Sequence, residues 1–439
     1  MTLALTPLSG VDAVTVRPGH PLSGVVRVDG SKNAALPLLA AAAATCRTVH
    51  LTGVPASADV QAMLSLLQHI GYRIAPPVTD PGAVIVLPPS ATSTVPDLPE
   101  AARIRASYYL VPALLAVYSQ ARLPWPGGCQ IGERGMDVHF TVYQAFGDTV
   151  TVDDRGYRVT AAAPVPDEVV VALPFRSRGA SAAAVLRAVV ADCRLRLGNP
   201  NLSPEVTGML QALCQAGWQV VIAADLVTVF PPPHRGDGTV VWTVAGDKIE
   251  AGTLACAMAA AGGTGRIEGV HGADTAALIK ALNRLGIPAS PEPDALTVHG
   301  ADARPTGRSL RAVASLAPDG LDADFEPALI ALALSLPGTH LFADAINPGR
   351  HGNLLPQLAR LGATIEEISP TQCRLTGPQR LTGTSVEATD IRTGSALLIA
   401  ALTARGTTTV TGLHQLRRGH PDLPAKLLAL GADITGITR

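Results

Sequence analysis

The chain has 439 residues, too many for one ordinary hydrophobic core, so its length predicts two or more domains. It carries 34 basic and 35 acidic residues, a formal net charge of −1, and this balance argues against nucleic acid or a membrane surface as a partner. Aromatic residues make up only 3% of the chain, which excludes a stacking platform for bases. Any anion site must therefore consist of a few well-placed arginines and lysines.

The cysteines are scattered and form no CxxC pair; they are Cys46, Cys129, Cys193, Cys214, Cys256 and Cys373. This spacing argues against a disulfide framework or a zinc site and fits a reducing compartment, so we expect no metal and no cofactor. Residues 1–16 show no basic segment before an apolar run, so we expect no signal peptide. The longest apolar stretch, residues 34–45, is too short to cross a bilayer. We expect a soluble cytoplasmic protein.

One short phrase recurs six times along the chain: an apolar helical run, a glycine and then a β-type segment. These glycines are Gly71, Gly147, Gly217, Gly286, Gly362 and Gly431. They are spaced at roughly 70 residues, a fixed period of the kind that marks repeated structural units. A glycine directly after a helix is the usual residue at its C-terminal end, so each phrase predicts the end of a helix.

A second landmark opens an alanine-rich helix in each repeat. The opening residues are Lys32, Arg105, Ser177, Asp247, Asp324 and Asp390. Each unit therefore reads as an α/β module of two helices with strands, and six modules predict two domains of three. We assign residues 32–245 to the first domain and residues 1–31 plus 246–439 to the second, because the sixfold register begins at Lys32.

If the opening helices are equivalent, their N-termini converge on one cleft, where free N–H groups and helix dipoles favour anions. Cationic side chains accumulate at these starts and in nearby loops: Lys32, Arg105, Arg134, Arg178, Arg350, Arg392 and Arg418. Such a cleft suits a small molecule with several negative charges. We expect mutual repulsion of these cations to hold the domains apart until anions bind.

The stretch from Pro124 to Phe140 contains a cysteine in a glycine-rich loop. Cys129 follows two glycines, and Arg134 lies five residues beyond it. A positive neighbour favours the thiolate and exposure gives access, so this loop suits a reactive cysteine. A surface loop with an incidental cysteine is the alternative reading.

Two phrases together resemble the enolpyruvyl transferase family, and in particular its UDP-N-acetylglucosamine 1-carboxyvinyltransferases. The first is Gly-Ser-Lys-Asn-Ala-Ala-Leu-Pro at residues 30–37, and the second is Pro-Gly-Gly-Cys-x-Ile-Gly-x-Arg at residues 126–134. Residues 247–253, 388–392 and 418–419 also look like family phrases in the expected order. The resemblance implies two inside-out α/β domains, each of three pseudo-repeated units, with the active site in the interdomain cleft.

The resemblance also implies the reaction, which is transfer of the enolpyruvyl group of phosphoenolpyruvate to a substrate hydroxyl with release of phosphate. By resemblance, Cys129 is the acid that protonates C3, Asp324 is the base, and Lys32 and Asn33 complete the catalytic set. The cations expected to bind phosphoenolpyruvate are Lys32, Arg105, Arg134, Arg350, Arg392 and Arg418. The residues expected to bind the acceptor are Asn33, Asp137, Ser177, Arg178, Gly179, Asp324 and Ile346. The antibiotic fosfomycin, which mimics phosphoenolpyruvate, is expected to alkylate Cys129.

Several of these residues also have plain structural interpretations. Asp247, Asp324 and Asp390 suit the first turn of a helix, and for Asp247 we favour that reading. Arg178 and Arg350 could be solvated loop charges. The histidines His139 and His420 fit packing or hydrogen bonding better than metal ligation, because no second ligand lies at metal spacing.

The chain departs from the family pattern where the acceptor is expected to bind. The departures lie at residues 134–139, 203–205, 347–352 and 416–420. One interpretation is the family reaction on the 3-hydroxyl of UDP-N-acetylglucosamine, a step of peptidoglycan precursor synthesis. Another is a changed acceptor such as UMP, as in the enolpyruvyl transferases of peptidyl-nucleoside antibiotic pathways. A third, from another class, is a non-catalytic nucleotide-binding sensor, against which the complete acid and base set argues.

Overall fold

The structure is a computed structural model that describes residues 10–76, 82–89, 94–129, 131–132, 134–234, 236 and 238–437. Residues 1–9, which carry part of the signal-peptide expectation, lie outside the described residues. No helix among the described residues combines the length and apolar character that a bilayer span requires.

The helices are distributed along the whole described chain. The α-helices are α1 (Lys32–Thr45), α2 (Ala58–Ile70), α3 (Leu110–Tyr118), α4 (Asp137–Ala145), α5 (Arg178–Ala191), α6 (Pro204–Gln215), α7 (Lys248–Ala260), α8 (Ala276–Leu285), α9 (Glu326–Ala333), α10 (Arg350–Arg360), α11 (Ile391–Ala401), α12 (Leu413–Leu416) and α13 (Leu423–Ala429). Short 3₁₀ turns cover Pro99–Arg103, Arg105–Tyr109, Gly272–Thr275, Gly300–Asp302 and Ala323–Phe325.

The strands are short and alternate with these helices. They are β1 (Ala13–Arg17), β2 (Gly24–Arg27), β3 (Val49–Thr52), β4 (Arg73–Ala75), β5 (Val84–Leu87), β6 (Gln120–Pro124), β7 (Thr149–Val152), β8 (Gly156–Thr160), β9 (Glu168–Ala172), β10 (Arg194–Gly198), β11 (Gln219–Ala223), β12 (Leu226–Phe230), β13 (Val240–Thr243), β14 (Thr264–Glu268), β15 (Ala289–Pro291), β16 (Ala295–His299), β17 (Arg311–Val313), β18 (Gly338–Ala343), β19 (Ile365–Ser369), β20 (Gln372–Gly377), β21 (Ser385–Glu387), β22 (Thr408–Thr411) and β23 (Asp433–Ile437).

Six small sheets organise the described strands, one for each predicted unit. Three sheets have the strand orders β13-β3-β5-β4, β6-β8-β7 and β11-β12-β10-β9. The other three have the orders β15-β16-β14-β2, β17-β18-β20-β19 and β21-β22-β1-β23. Strand β1 pairs antiparallel with β22 and β23, and β2 pairs parallel with β14. The described N-terminal strands therefore complete sheets of the second half of the chain.

The helices that open the units form the centre of each half. Helices α1, α3 and α5 pack against one another in the first half, and α7, α9 and α11 do so in the second. Helix α1 is buried from Ala34 to Thr45, whereas strand β9 alternates exposed and buried residues. Helices inside and sheets outside confirm the predicted inside-out α/β architecture.

The repeated glycines end helices as their spacing predicts. All six adopt positive φ, between 84° at Gly147 and 108° at Gly71. This left-handed conformation is readily accessible only to glycine, which explains why the phrase keeps it.

The buried apolar residues fall into two clusters. One cluster spans residues 34–244, and the other combines residues 14–28 with residues 249–434. We propose that the domains are residues 32–245 and residues 1–31 plus 246–439, and the membership of the two cores supports this division.

A buried ion pair in the first half gives a testable contribution to stability. Arg187 donates from Nε and Nη2 to the two carboxylate oxygens of Asp148, both at 2.7 Å, and only 2% of the Arg187 side chain is exposed. Replacing Arg187 with leucine should lower the free energy of unfolding by about 3–5 kcal/mol, because Asp148 keeps its desolvation cost and loses its partner. Denaturant unfolding monitored by circular dichroism measures this loss.

The control is an exposed pair with the same two-bond geometry. Arg374 donates from Nε and Nη2 to Glu366 at 2.8 and 2.7 Å, but about half of each side chain is exposed. Arg374→Leu should lower the free energy of unfolding far less than Arg187→Leu, because solvent screens an exposed ion pair. Equal losses for the two variants would contradict the role assigned to burial.

Candidate active site in the cleft between the halves

One cleft of about 730 Å³ receives side chains from both halves of the chain. The start of the first helical segment of every unit contributes to its lining: Lys32, Arg105, Arg178, Lys248, Asp324 and Arg392. The predicted convergence of the helix starts on one cleft is confirmed.

Nearly all of the predicted site residues lie together in this lining. These residues are Lys32, Asn33, Arg105, Cys129, Arg134, Ser177, Arg178, Gly179, Asp324, Ile346, Arg350, Arg392 and Arg418. Asp137 is the exception, since it is the first residue of α4 and does not line the cleft. The acceptor-binding role predicted for Asp137 therefore has no support from its position.

The predicted reactive loop places Cys129 beside a guanidinium that comes from the other half of the chain. Arg418 Nη1 lies 3.5 Å from Cys129 Sγ, whereas Arg134 donates from Nη2 to the Cys129 backbone carbonyl at 3.0 Å. Arg105 holds the same loop by donating from Nη2 to the backbone carbonyls of Arg134 and Gly135. Thus Arg134 orders the loop backbone, and Arg418 is the cation that contacts the thiol.

A carboxylate that the sequence reasoning missed joins two of the predicted cations. Asp59, near the start of α2, accepts from Lys32 Nζ at 3.2 Å and from Arg418 Nε at 3.0 Å. Asp59 is 6% exposed and lines the cleft. Because Lys32 and Arg418 come from opposite halves, Asp59 fixes their relative position next to Cys129.

The predicted base, Asp324, lies between two buried arginines. Arg350 donates from Nη2 to Asp324 Oδ1 at 2.7 Å, and Arg392 donates from Nη2 to Oδ2 at 2.9 Å. Burial alone would raise the pKa of Asp324, but Arg392 and Arg350 together lower it well below its usual value. In this arrangement Asp324 is a weak base, and the two guanidinium groups are occupied by its carboxylate.

A second ion network, partly buried, crosses the cleft beside Asp324. Lys248 Nζ lies 3.0 Å from Asp322 Oδ2 and 3.3 Å from Glu205 Oε1, and Arg178 Nη2 lies 3.3 Å from Asp322 Oδ2. Asp322 also accepts from the backbone N–H of Asp324 through Oδ1 at 3.0 Å. Burial would raise the pKa of Asp322, but Lys248 and Arg178 lower it to about 2. The turn that carries the predicted base is thereby anchored to the first half.

These pairings correct the expected electrostatics of the cleft. We expected unpaired cations to repel one another, yet acidic side chains pair with Lys32, Arg178, Arg350, Arg392 and Arg418. Arg350 is 1% exposed, so it is no solvated loop charge. Salt bridges such as Arg418–Asp59 and Arg178–Asp322 link the two halves.

The N-terminus of α5 forms another part of the lining. Ser177 caps this helix by accepting from the Ala180 N–H at 3.2 Å. A Cβ atom on Gly179 would lie 2.6 Å from His139 Nε2 and 2.7 Å from the Tyr108 hydroxyl, so only glycine fits there. Burial, with a further contribution from Arg105, lowers the pKa of His139 to about 3. This turn presents free helix N–H groups beside a neutral imidazole, an arrangement that suits phosphate oxygens.

Two of the acidic residues at helix starts act as caps. Asp247 accepts from the N–H groups of Ile249 and Glu250, so the structural interpretation favoured for it holds, although it caps the helix rather than lying in its first turn. Asp390 likewise caps α11 by accepting from the N–H groups of Arg392 and Thr393, and it also lines the cleft. Among the described residues, no group of three or more His, Cys, Asp or Glu side chains is placed to hold a metal ion.

Comparison with known protein families assigns the chain over most of its length. The family model described as EPSP synthase (3-phosphoshikimate 1-carboxyvinyltransferase) matches residues 16–427. A UDP-N-acetylglucosamine 1-carboxyvinyltransferase from Zymomonas mobilis is 33% identical over 97% of this chain and 99% of its own length. UDP-N-acetylglucosamine 1-carboxyvinyltransferase 3 from Symbiobacterium thermophilum is 35% identical over 95% of this chain and 96% of its own length.

Solved structures show the same fold. The enolpyruvyl transferase NikO from Streptomyces tendae is 26% identical, with a TM-score of 0.84 over 98% of this chain and 100% of that chain. EPSP synthase from Acinetobacter baumannii is 18% identical, with a TM-score of 0.73 over 97% of this chain and 100% of that chain. The second similarity concerns the fold alone.

Proposed function

Because the chain belongs to the carboxyvinyltransferase family of EPSP synthase, we propose that it transfers the enolpyruvyl group of phosphoenolpyruvate to a hydroxyl of a UDP-sugar or uridine nucleotide. The observation that carries this proposal is the thiol of Cys129 and the carboxylate of Asp324 lining one cleft among cations from both halves. A binding module would have no need of both an acid and a base in such a place.

The proposed reaction proceeds by addition and elimination. Cys129 gives a proton to C3 of phosphoenolpyruvate, and the acceptor oxygen bonds to C2 as Asp324 takes the hydroxyl proton. The resulting tetrahedral ketal then breaks its C2–O bond to phosphate, and C3 returns a proton to the Cys129 thiolate. Phosphate leaves with the electron pair of that bond, so no redox partner is needed.

The cations divide into two groups in this proposal. Arg134 and Arg418 contact Cys129, and Asp59 joins Lys32 to Arg418. We assign these three cations to the anionic groups of phosphoenolpyruvate next to C3. Arg350 and Arg392 hold Asp324 by donating to its two carboxylate oxygens. We propose that an incoming anion takes over these two guanidinium groups, which releases Asp324 and raises its pKa so that it can act as the base.

The first candidate acceptor is UDP-N-acetylglucosamine, supported by the two relatives that carry its name. We assign its phosphates to the N-terminus of α5 at Ser177, Arg178 and Gly179, and we keep Asn33 and Ile346 as contacts near the reacting hydroxyl. We propose a cytoplasmic reaction for this acceptor, and the scattered cysteines without a CxxC pair support a reducing compartment.

A second candidate acceptor is UMP, which the departures from the family pattern around the expected acceptor pocket favour. Arg176 and Arg178 flank the Ser177 cap, and both line the cleft. Two guanidinium groups at one helix start suit the doubly charged phosphate of a nucleoside monophosphate.

A phosphate-release assay with phosphoenolpyruvate and a panel of acceptors tests the proposal. UDP-N-acetylglucosamine, UMP, UDP and uridine form the panel, and reactions without acceptor are the control. We expect phosphate release to require one of the acceptors that contain both a uridine and a phosphate group. Release at the same rate with uridine alone would contradict the assignment of the α5 start to phosphate.

A further inference from the structure

His420 contacts one of the two arginines that hold Asp324. Arg392 Nη2 donates to Asp324 Oδ2, and Arg392 Nη1 contacts His420 Nε2. Arg392 and His420 are both buried, with exposed fractions of 7% and 1%. The guanidinium is planar, so contacts on its two terminal nitrogens fix its orientation as well as its position.

The chemistry of this contact determines the state of the imidazole. A guanidinium has only donors, so His420 Nε2 must accept, and the ring is neutral with its proton on Nδ1. The charged groups around the ring are Arg392 on α11, Lys426 on α13, Lys32 on α1 and the carboxylate of Asp324. Burial first, and then the three cations, lower the pKa of His420 well below its usual value against the opposing effect of Asp324. The imidazole therefore stays an acceptor at neutral pH.

His420 also belongs to the turn that reaches the thiol. Arg418, two residues earlier, contacts both Cys129 Sγ and Asp59, and the His420 N–H donates to the Leu416 carbonyl at 2.9 Å. One short turn thus supplies a contact to the predicted acid and, through Arg392, a contact to the predicted base. A displacement of this turn would change both ends of the site together.

We propose that His420 is a positioning residue for the transfer reaction: its neutral imidazole holds the Arg392 guanidinium in the orientation that binds Asp324 and then the anionic group of phosphoenolpyruvate. The proposal rests on the proposed function of the cleft. His420 touches neither substrate nor reacting atoms in this account and acts through Arg392 alone.

Two substitutions separate this role from simple packing. His420→Gln keeps a carbonyl oxygen that accepts from Arg392, whereas His420→Leu fills similar space without an acceptor. With saturating acceptor, we expect His420→Leu to raise the KM for phosphoenolpyruvate at least about tenfold, the order of one lost hydrogen bond to a charged group. The Gln variant should recover most of that loss, and the KM for the acceptor should stay within about twofold in both. His414→Leu, at an exposed position of the same segment, is the matched control and should resemble the wild type.

The pH dependence gives a readout that packing would not change. Protonation turns the His420 acceptor into a donor facing Arg392, so the wild type should lose affinity for phosphoenolpyruvate as pH falls toward the lowered pKa. His420→Gln has no proton to gain and should lack this acid-side loss. The comparison uses the ratio of the two enzymes at each pH, which cancels the titration of phosphoenolpyruvate itself.

Direct binding distinguishes failure of this proposal from failure of the proposed function. Calorimetric titration of phosphoenolpyruvate into the acceptor-saturated proteins should rank the affinities in the same order as the KM values. The wild type should bind most tightly, His420→Gln next and His420→Leu most weakly. An unchanged affinity in the Leu variant, or equal losses in Leu and Gln accompanied by equal losses of thermal stability, would overturn the positioning role. A wild type that binds phosphoenolpyruvate but transfers nothing to any acceptor would instead contradict the proposed function.

Discussion

Replacing Cys129 with serine should lower kcat by about 10²–10⁴-fold, because a hydroxyl is too weak an acid to protonate C3 of phosphoenolpyruvate. Cys129→Asp should retain measurable turnover, since a carboxylic acid can occupy the same place. Steady-state phosphate release with saturating acceptor and phosphoenolpyruvate measures both effects. Binding of phosphoenolpyruvate should change much less than turnover, since Lys32, Arg134 and Arg418 remain.

Fosfomycin labelling tests the same thiol independently of turnover. We expect mass mapping to place the label on Cys129, faster in the presence of acceptor, and to find none in Cys129→Asp. Cys214 on α6 is the natural control because its side chain is exposed but lies outside the cleft lining. Cys214→Ser should leave both labelling and turnover unchanged. Preferential labelling of Cys214, or a fully active Cys129→Ser enzyme, would overturn the role given to Cys129.

Replacing Asp324 with asparagine should separate catalysis from anion binding. Loss of the base should lower kcat by about 10²–10⁴-fold. The same change removes the negative charge that occupies Arg350 and Arg392, so affinity for phosphoenolpyruvate should rise, by roughly tenfold. Calorimetric titration of the two proteins gives the affinity, and single-turnover phosphate release gives the rate.

Asp322→Asn provides the comparison for Asp324. Asp322 is also anionic and partly buried, but its partners are Lys248 and Arg178. Its replacement should not tighten phosphoenolpyruvate binding, because neither Arg350 nor Arg392 contacts it in the described structure. Weaker binding in Asp324→Asn would mean that the two arginines need Asp324 to stay in place, contrary to the exchange proposed here.

The features that sequence predicts best are those encoded locally. The six glycines after helices predicted the repeat because positive φ is a property of one residue and its immediate neighbours. The helix starts at Lys32 and Asp390 could also be predicted, because they too depend on a residue and its immediate neighbours. Together with the phrase around Cys129, they led to the fold and to most of the cleft lining.

The ion pairs of the cleft could not be predicted from the sequence, because their partners are far apart along the chain and meet only after folding. Asp59 looks like an ordinary carboxylate in the first turn of α2, yet it meets Arg418, 359 positions away. Likewise, no residue near Asp324 in the sequence predicts its contact with Arg392, 68 positions away. Counting cations from sequence therefore predicted repulsion, where the structure has neutralised pairs.

The acceptor-binding role of Asp137 stays a prediction. It follows Arg134 and Gly135 in the phrase associated with acceptor binding, but it begins α4 outside the cleft lining.

Mass spectrometry of the acceptor after incubation with phosphoenolpyruvate and the wild-type protein detects the proposed transfer itself. We predict that a uridine nucleotide or UDP-sugar gains one enolpyruvyl group for each phosphate released, and that Cys129→Ser abolishes the gain. Phosphate release that leaves every acceptor unmodified, or no reaction with any uridine nucleotide, would contradict it.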